Sequence, residues 1–150
     1  MTKQQKIKSL LLFFGLIVGL LIIYLANQHF DKGTVALNGN RVKVEIASTP
    51  QQWAQGLSNR DGLKQNNGLL FVYPDYLYRN FWMKDMKFEI DIIWIAENKI
   101  VGIEKNVPLP TTVPIPTYRS PKPVNYVLEV TAGYADQHHL QIGDPVIFNL

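Results

Sequence analysis

Phe88 to Ile95 reads FEIDIIWI. Phe88, Ile90, Ile92 and Trp94 recur with the two-residue period that puts side chains on one face of a β-strand, and Glu89 and Asp91 point the other way. The flanks carry the same signal. Asn80–Lys84 (NFWMK) and Gly68–Tyr73 (GLLFVY) read as further strands, the latter stopped by Pro74. On the other side, the turn Glu97-Asn98-Lys99 reverses the chain into a strand from Ile100 to Glu104. Earlier still, Thr34–Leu37 and Arg41–Ala47 bracket Asn38-Gly39-Asn40, a hairpin signal. Val42, Val44 and Ile46 alternate there with Lys43 and Glu45, so one face is buried and the other wet.

Two short helices interrupt the strands. Thr49 can cap the first, with Pro50 at the first helical position and Gln52 completing a capping box. Trp53 and Leu57, four residues apart, dock it on the sheet. Near the end, Tyr126–Val130 reads as a strand, Ala132–Leu140 as the second helix, and Pro145–Leu150 as a closing strand after a Gly143-Asp144 turn. Asn106–Val124 carries six of the nine prolines, and proline cannot donate to a sheet ladder, so this stretch reads as loop or polyproline II. Too few residues follow it to build a second core, which makes it an excursion within one domain.

Ahead of all this lies Leu10–Ala26 (LLLFFGLIVGLLIIYLA), a run of 17 residues without a charge. As a helix it spans roughly 26 Å, enough to cross a bilayer core. A secretory signal is the competing account. The run is longer than a usual signal core and Tyr24 spoils a small-x-small cleavage site before Ala26, which favours an uncleaved anchor. Lys3, Lys6 and Lys8 then stay in the cytoplasm by the positive-inside rule, with Tyr24 near the outer interface. Gly15 and Gly19 form a G-x-x-x-G pair, the flat surface through which such helices pair into a homodimer. The expected layout is a cytoplasmic tail over 1–9, an anchor over 10–26, a spacer over 27–33 and an extracytoplasmic, periplasmic or extracellular domain over 34–150.

Charge and cysteine content narrow the function. Of 15 Lys and Arg, Lys3, Lys6 and Lys8 precede the apolar run, and the remaining 12 balance all 12 Asp and Glu. A neutral domain has no general attraction for phosphate backbones, so nucleic acid is not an expected partner. With no cysteine, disulfides, thiolate metal sites and thiol nucleophiles are excluded together. His138 and His139 are adjacent and diverge on a helix, so no metal is expected, and with no P-loop or dinucleotide fingerprint no cofactor is expected either.

Five blocks then resemble a known pattern: GLSNRDGL (Gly56–Leu63), GLLFVY, FWMKDMKFEIDIIWI (Phe81–Ile95), YVLEVTAG (Tyr126–Gly133) and IGDPV (Ile142–Val146). In order and spacing they are similar to the domain of unknown function 192 family. The resemblance implies a mostly β (α+β) fold, a small β-barrel-like domain with two short helices, here preceded by one transmembrane helix. It implies no activity. Leu69 replaces a methionine common in that family and Asp85 an asparagine, which argues against a role for that methionine's sulfur.

Arg60, Trp82, Lys84, Asp91, Glu129 and Asp144 are the polar or aromatic residues inside the blocks. Asp91 sits among isoleucines, where a lone carboxylate is costly, so it needs a partner. Arg60 or Lys84 would supply one, making a structural clasp. Alternatively Trp82, Lys84, Asp91 and Glu129, with Arg60, line a cleft for a glycan, a peptide or a partner protein. Asp91 and Glu129 as the paired carboxylates of a glycoside hydrolase are the enzyme alternative, and a purely structural scaffold is the third. Asp144 reads as a turn former. The leading expectation is a membrane-tethered binding or accessory module. Its topology predicts that a reporter active only outside the cytoplasm, fused after Leu150, is active; an inactive fusion reverses the orientation.

Overall fold

The computed structural model describes residues 3–27 and 29–150, with side chains at 3 and 23–27 excepted. The expected position of Tyr24, and the side chain of Ala26, lie outside the described residues. The chain forms two compact units, residues 1–30 and 31–150. The first is a single helix, α1 (Lys3–Asn27), long and apolar enough over Gln4–Ile22 to cross a membrane. A signal sequence meets the same test. Leu10 is exposed on it, and a Cβ added at Gly15 or Gly19 would meet nothing within 4 Å.

The second unit is mostly strand. In chain order it contains β1 (Asp31–Leu37), β2 (Asn40–Ala47), α2 (Pro50–Gln55), β3 (Asn67–Leu77), β4 (Asn80–Trp82), β5 (Ile90–Ala96), β6 (Lys99–Val107), β7 (Thr117–Arg119), β8 (Val124–Thr131), α3 (Tyr134–Gln137) and β9 (Val146–Asn149). Seven of these strands form one curled sheet in the order β6-β5-β8-β3-β2-β1-β9. Its edge strands approach at one end, where Ile100 N–H donates to the Asp144 carbonyl at 3.0 Å and Val146 N–H to the Asn98 carbonyl at 2.8 Å. The result is a half-barrel whose other two strands, β4 and β7, pair separately.

Local chemistry explains the elements. Asn38 and Gly39 both take positive φ (47° and 80°), the two-residue turn whose twist suits a hairpin, and Glu97 and Asn98 repeat it between β5 and β6. Thr49 caps α2 as the sequence indicates: its Oγ1 accepts from Gln52 N–H while Gln52 Oε1 accepts from Thr49 N–H. The chain between β2 and β3 contains α2 and carries the single parallel pairing in the sheet.

Both faces of the central strands are buried. On the concave face Val44, Leu70, Leu128, Ile93 and Ile95 form the main core. On the other face Leu69, Phe71, Val127, Ile92 and Trp94 lie under β4 and β7, and Phe81 wedges edge-on between Phe71 and Trp94 at 4.8 and 5.4 Å. This double coverage is why β5 is buried at every residue instead of alternating.

Several boundaries differ from the sequence reading; β5 itself starts at Ile90, leaving Phe88 and Glu89 ahead of the strand. β1 starts at Asp31, inside the stretch read as spacer, because all seven of its residues pair with β2. Pro74 does not stop β3, since it falls where the pairing with β8 is interrupted between Val72 and Leu77 and no ladder donor is required. The proline-rich stretch contains a strand, β7, which places Tyr118 opposite Phe81. α3 is only four residues long, and His139 beyond it adopts a positive φ of 53°.

Candidate functional site

The register of β5 against β8 decides the geometry of the site. Asp91 pairs with Val130 and Ile92 with Glu129, so Asp91 and Glu129 project from opposite faces of the sheet. The paired-carboxylate hydrolase is thereby corrected: two groups separated by a β-sheet cannot flank one scissile bond.

Asp91 is wholly buried and fully engaged. Its Oδ1 accepts from the N–H groups of Asn106 at 2.7 Å and Gly133 at 3.1 Å, and its Oδ2 from Ala135 N–H at 2.8 Å. An extra residue in β6, between the pairings Ile90↔Val107 and Ile92↔Glu104, together with a positive φ of 52° at Asn106, turns that N–H inward. Asp91 also supplies the cap that Gly133, lacking a side chain, cannot give α3. The expected clasp exists, but its donors are backbone groups rather than Arg60 or Lys84. Asp91 therefore leaves the proposed cleft.

Arg60 bonds Glu45 Oε2 at 2.8 Å. Lys84 is exposed, with Nζ 5.4 Å from the centre of the Trp82 ring. Asp144 behaves as the turn former expected, its Oδ2 accepting from Gln141 N–H at 2.8 Å.

Among the residues expected to form the site, Glu129 carries a buried oxygen left unsatisfied. It is 5% exposed, and its Oε2 is buried with no hydrogen-bond partner among the described residues. Burial pushes its pKa up to about 8, with the Arg60 charge opposing. The carboxyl lines a cleft of about 80 Å³ together with Trp53, Phe71, Tyr73, Phe81 and Trp82. Trp82 stands 55% exposed at its mouth.

Each wall has a local cause. The capping box starts α2 so that Trp53 donates from Nε1 to the Ala47 carbonyl at 2.9 Å and packs on Tyr73 at 4.7 Å. Burial pushes the Tyr73 hydroxyl up to about 12; the Arg79 guanidinium, 3.8 Å above that ring, opposes this, while Glu129 and Asp75 add to it. β4 is fixed at its start by Arg79 and Ser120, whose backbone and hydroxyl groups exchange bonds of 2.9 and 3.0 Å. Beyond β4, Ser58 Oγ donates to the Lys84 carbonyl at 2.9 Å and Asn59 N–H to the Asp85 carbonyl at 2.7 Å. Asp85 there has a φ of 57°, the left-handed region that asparagine and aspartate enter more readily than most side-chain-bearing residues.

Trp82 and Glu129 are thus brought together, Arg60 acts on Glu129 through its charge, and Lys84 lies over Trp82. Trp53, Phe71, Tyr73 and Phe81 were missed by sequence reasoning. Phe71 shares the Glu129 face only through the β3–β8 register, which the sequence does not print. A larger hollow of about 820 Å³ lies over the outer face of β1 and β2, lined by Lys32, Lys43, Glu45, Arg60 and Lys64 among others. Its guanidinium already bonds Glu45. No group of three or more metal-binding side chains exists among the described residues.

The sequence model of DUF192, described as an uncharacterised ACR, matches residues 33–148. The chain belongs to this family. No curated protein matches it. Among solved structures it is similar to a candidate transcription regulator from Sinorhizobium meliloti 1021, with 29% identity, a TM-score of 0.73, and coverage of 79% of this chain and 95% of that one. It is also similar to a protein of unknown function from Novosphingobium aromaticivorans DSM 12444, at 25% identity and a TM-score of 0.68, covering 79% and 84%. The DUF192 domain thus comes with a fold and no stated chemistry.

Two outcomes follow for the carboxylates. Asp91→Asn keeps one acceptor oxygen and sets an amide N–H₂ against a backbone donor, so it lowers unfolding free energy by about 2–3 kcal/mol in denaturant melts. Glu129 holds its proton longer folded than unfolded. Its contribution is complete below the unfolded value near 4.5 and is lost as pH rises to about 8. Across that window the native chain loses on the order of a few kcal/mol relative to Glu129→Gln, read from melts at several pH values.

Proposed function

We propose that this DUF192 protein is a membrane-tethered, extracytoplasmic binding module that takes an envelope glycan at the Glu129 cleft. In this reading α1 remains as the anchor with its lysines in the cytoplasm, and the β domain works in the space beyond. One observation carries the assignment: a buried carboxyl with an unsatisfied oxygen lies in a cleft walled by aromatic rings. A buried polar atom without a partner costs about 1–3 kcal/mol, a cost that a ligand bringing the missing bond would relieve.

A recognition site needs a flat apolar platform and a few fixed polar groups, and the cleft offers both. Trp82 at the mouth presents the face on which a sugar ring can stack, and Glu129 and Asn80 supply hydrogen bonds. Catalysis finds no support, because Asp91 is committed to backbone donors and no second carboxylate lines the cleft with Glu129. The regulator name attached to the Sinorhizobium protein is not carried over, since the formal charge of residues 27–150 is zero, with 12 residues of each sign.

The test is a titration of the full chain in detergent with envelope glycan fragments, followed by tryptophan fluorescence. Trp82→Ala is expected to weaken binding at least tenfold while the melting temperature stays within about 2 °C, because its side chain is half exposed. Binding that survives Trp82→Ala, or no glycan binding at all, overturns the assignment.

A further inference from the structure

We infer that the group seated in the Glu129 cleft is a neutral carboxamide, the acetamido substituent of an N-acetylated amino sugar, paired with the carboxyl of Glu129 through one donated and one accepted hydrogen bond. This rests on the glycan-binding reading above and names the part of the ligand that is recognised.

Size is the first argument. About 80 Å³ holds two or three waters at roughly 30 Å³ each, which is the bulk of an acetamido group and too little for a sugar ring. The ring must therefore stay outside, where Trp82 is exposed, and only a small substituent can reach Glu129. The lining agrees, because a neutral amide suits a wall of aromatic rings, here the pairs Trp53–Tyr73 and Phe71–Phe81.

Charge is the second argument. The charged or titratable groups that act on Glu129 are Arg60 from the loop after α2, itself ion-paired to Glu45, and Tyr73 from β3. Its neighbours within the sheet, Leu69 and Ile92, are apolar. The Arg60 charge that reaches Glu129 disfavours an ammonium ligand, and the apolar floor disfavours an ionised carboxylate on Glu129 itself. A protonated carboxyl offers one O–H donor and one carbonyl acceptor on adjacent atoms. A secondary amide presents the complementary C=O and N–H.

The experiment titrates the full chain in detergent with a β-1,4-linked N-acetylglucosamine trimer, the same trimer deacetylated, a glucose trimer and an N-acetyl dipeptide amide. The acetylated trimer is expected to bind at least tenfold more tightly than the other three. Its affinity should fall about tenfold between pH 7 and pH 9 as the donor is lost, and stay flat in Glu129→Gln, whose amide keeps both a donor and an acceptor. Glu129→Leu should abolish the acetyl preference. Equal binding of the glucose trimer, lost in Trp82→Ala, overturns the acetamido assignment and leaves the glycan reading standing. Preference for the deacetylated trimer, with affinity rising through pH 8, overturns it in favour of an ammonium. Binding of the dipeptide amide alone overturns the sugar source, and binding of no probe overturns both this inference and the reading beneath it.

Discussion

A carboxyl group taken out of water has to meet donors or give up its charge, and this domain contains both outcomes one residue apart on a shared ladder. Asp91 and Glu129 occupy neighbouring rungs of β5 and β8, yet the sheet separates them. Asp91 receives three backbone N–H groups and ties β5 to the bulged end of β6 and the start of α3. Glu129 receives none on its Oε2, and its pKa rises accordingly. One is a fastening, and the other is an unmet requirement facing a cleft.

The rest of the fold can be understood as what keeps those two environments apart. The curled sheet provides a concave core for one face, while β4 and β7 cover the other with Phe81 inserted against Phe71 and Trp94. Without that cover Glu129 would be solvated and ordinary. The cover is small and is held by a few contacts, chiefly the Arg79–Ser120 exchange and the bonds from Ser58 and Asn59 to the chain after β4.

Much of the architecture was legible in the sequence because its causes are local. The Asn38-Gly39 turn, the Thr49–Gln52 capping box and the alternation along β2 each specify a conformation within a few residues. The need of Asp91 for a partner was legible too, from its place among isoleucines. The partner's identity was not, because Asn106, Gly133 and Ala135 offer backbone donors that no side-chain pattern records. Pro74 misled for a similar reason: its effect depends on a gap in the pairing with β8 that is set by the far end of the chain. Glu129 and Trp82 are legible as candidates from block membership, while the walls Trp53, Phe71, Tyr73 and Phe81 come from three separate elements, α2, β3 and β4, and converge only in the fold. The pairing of Asp91 with Glu129 as catalytic carboxylates failed on the same information, since a shift of one residue in β8 would have put them on one face.

Burial in the cleft keeps the Glu129 carboxyl a neutral acid near physiological pH. The direct measurement is a ¹³C NMR titration of the Glu129 side-chain carboxyl in the intact chain. A midpoint near 8 is the result this account predicts. A midpoint in the ordinary carboxylate range, near 4.5, would mean that water or an unseen donor already serves the group, and the case for a waiting ligand site would fall.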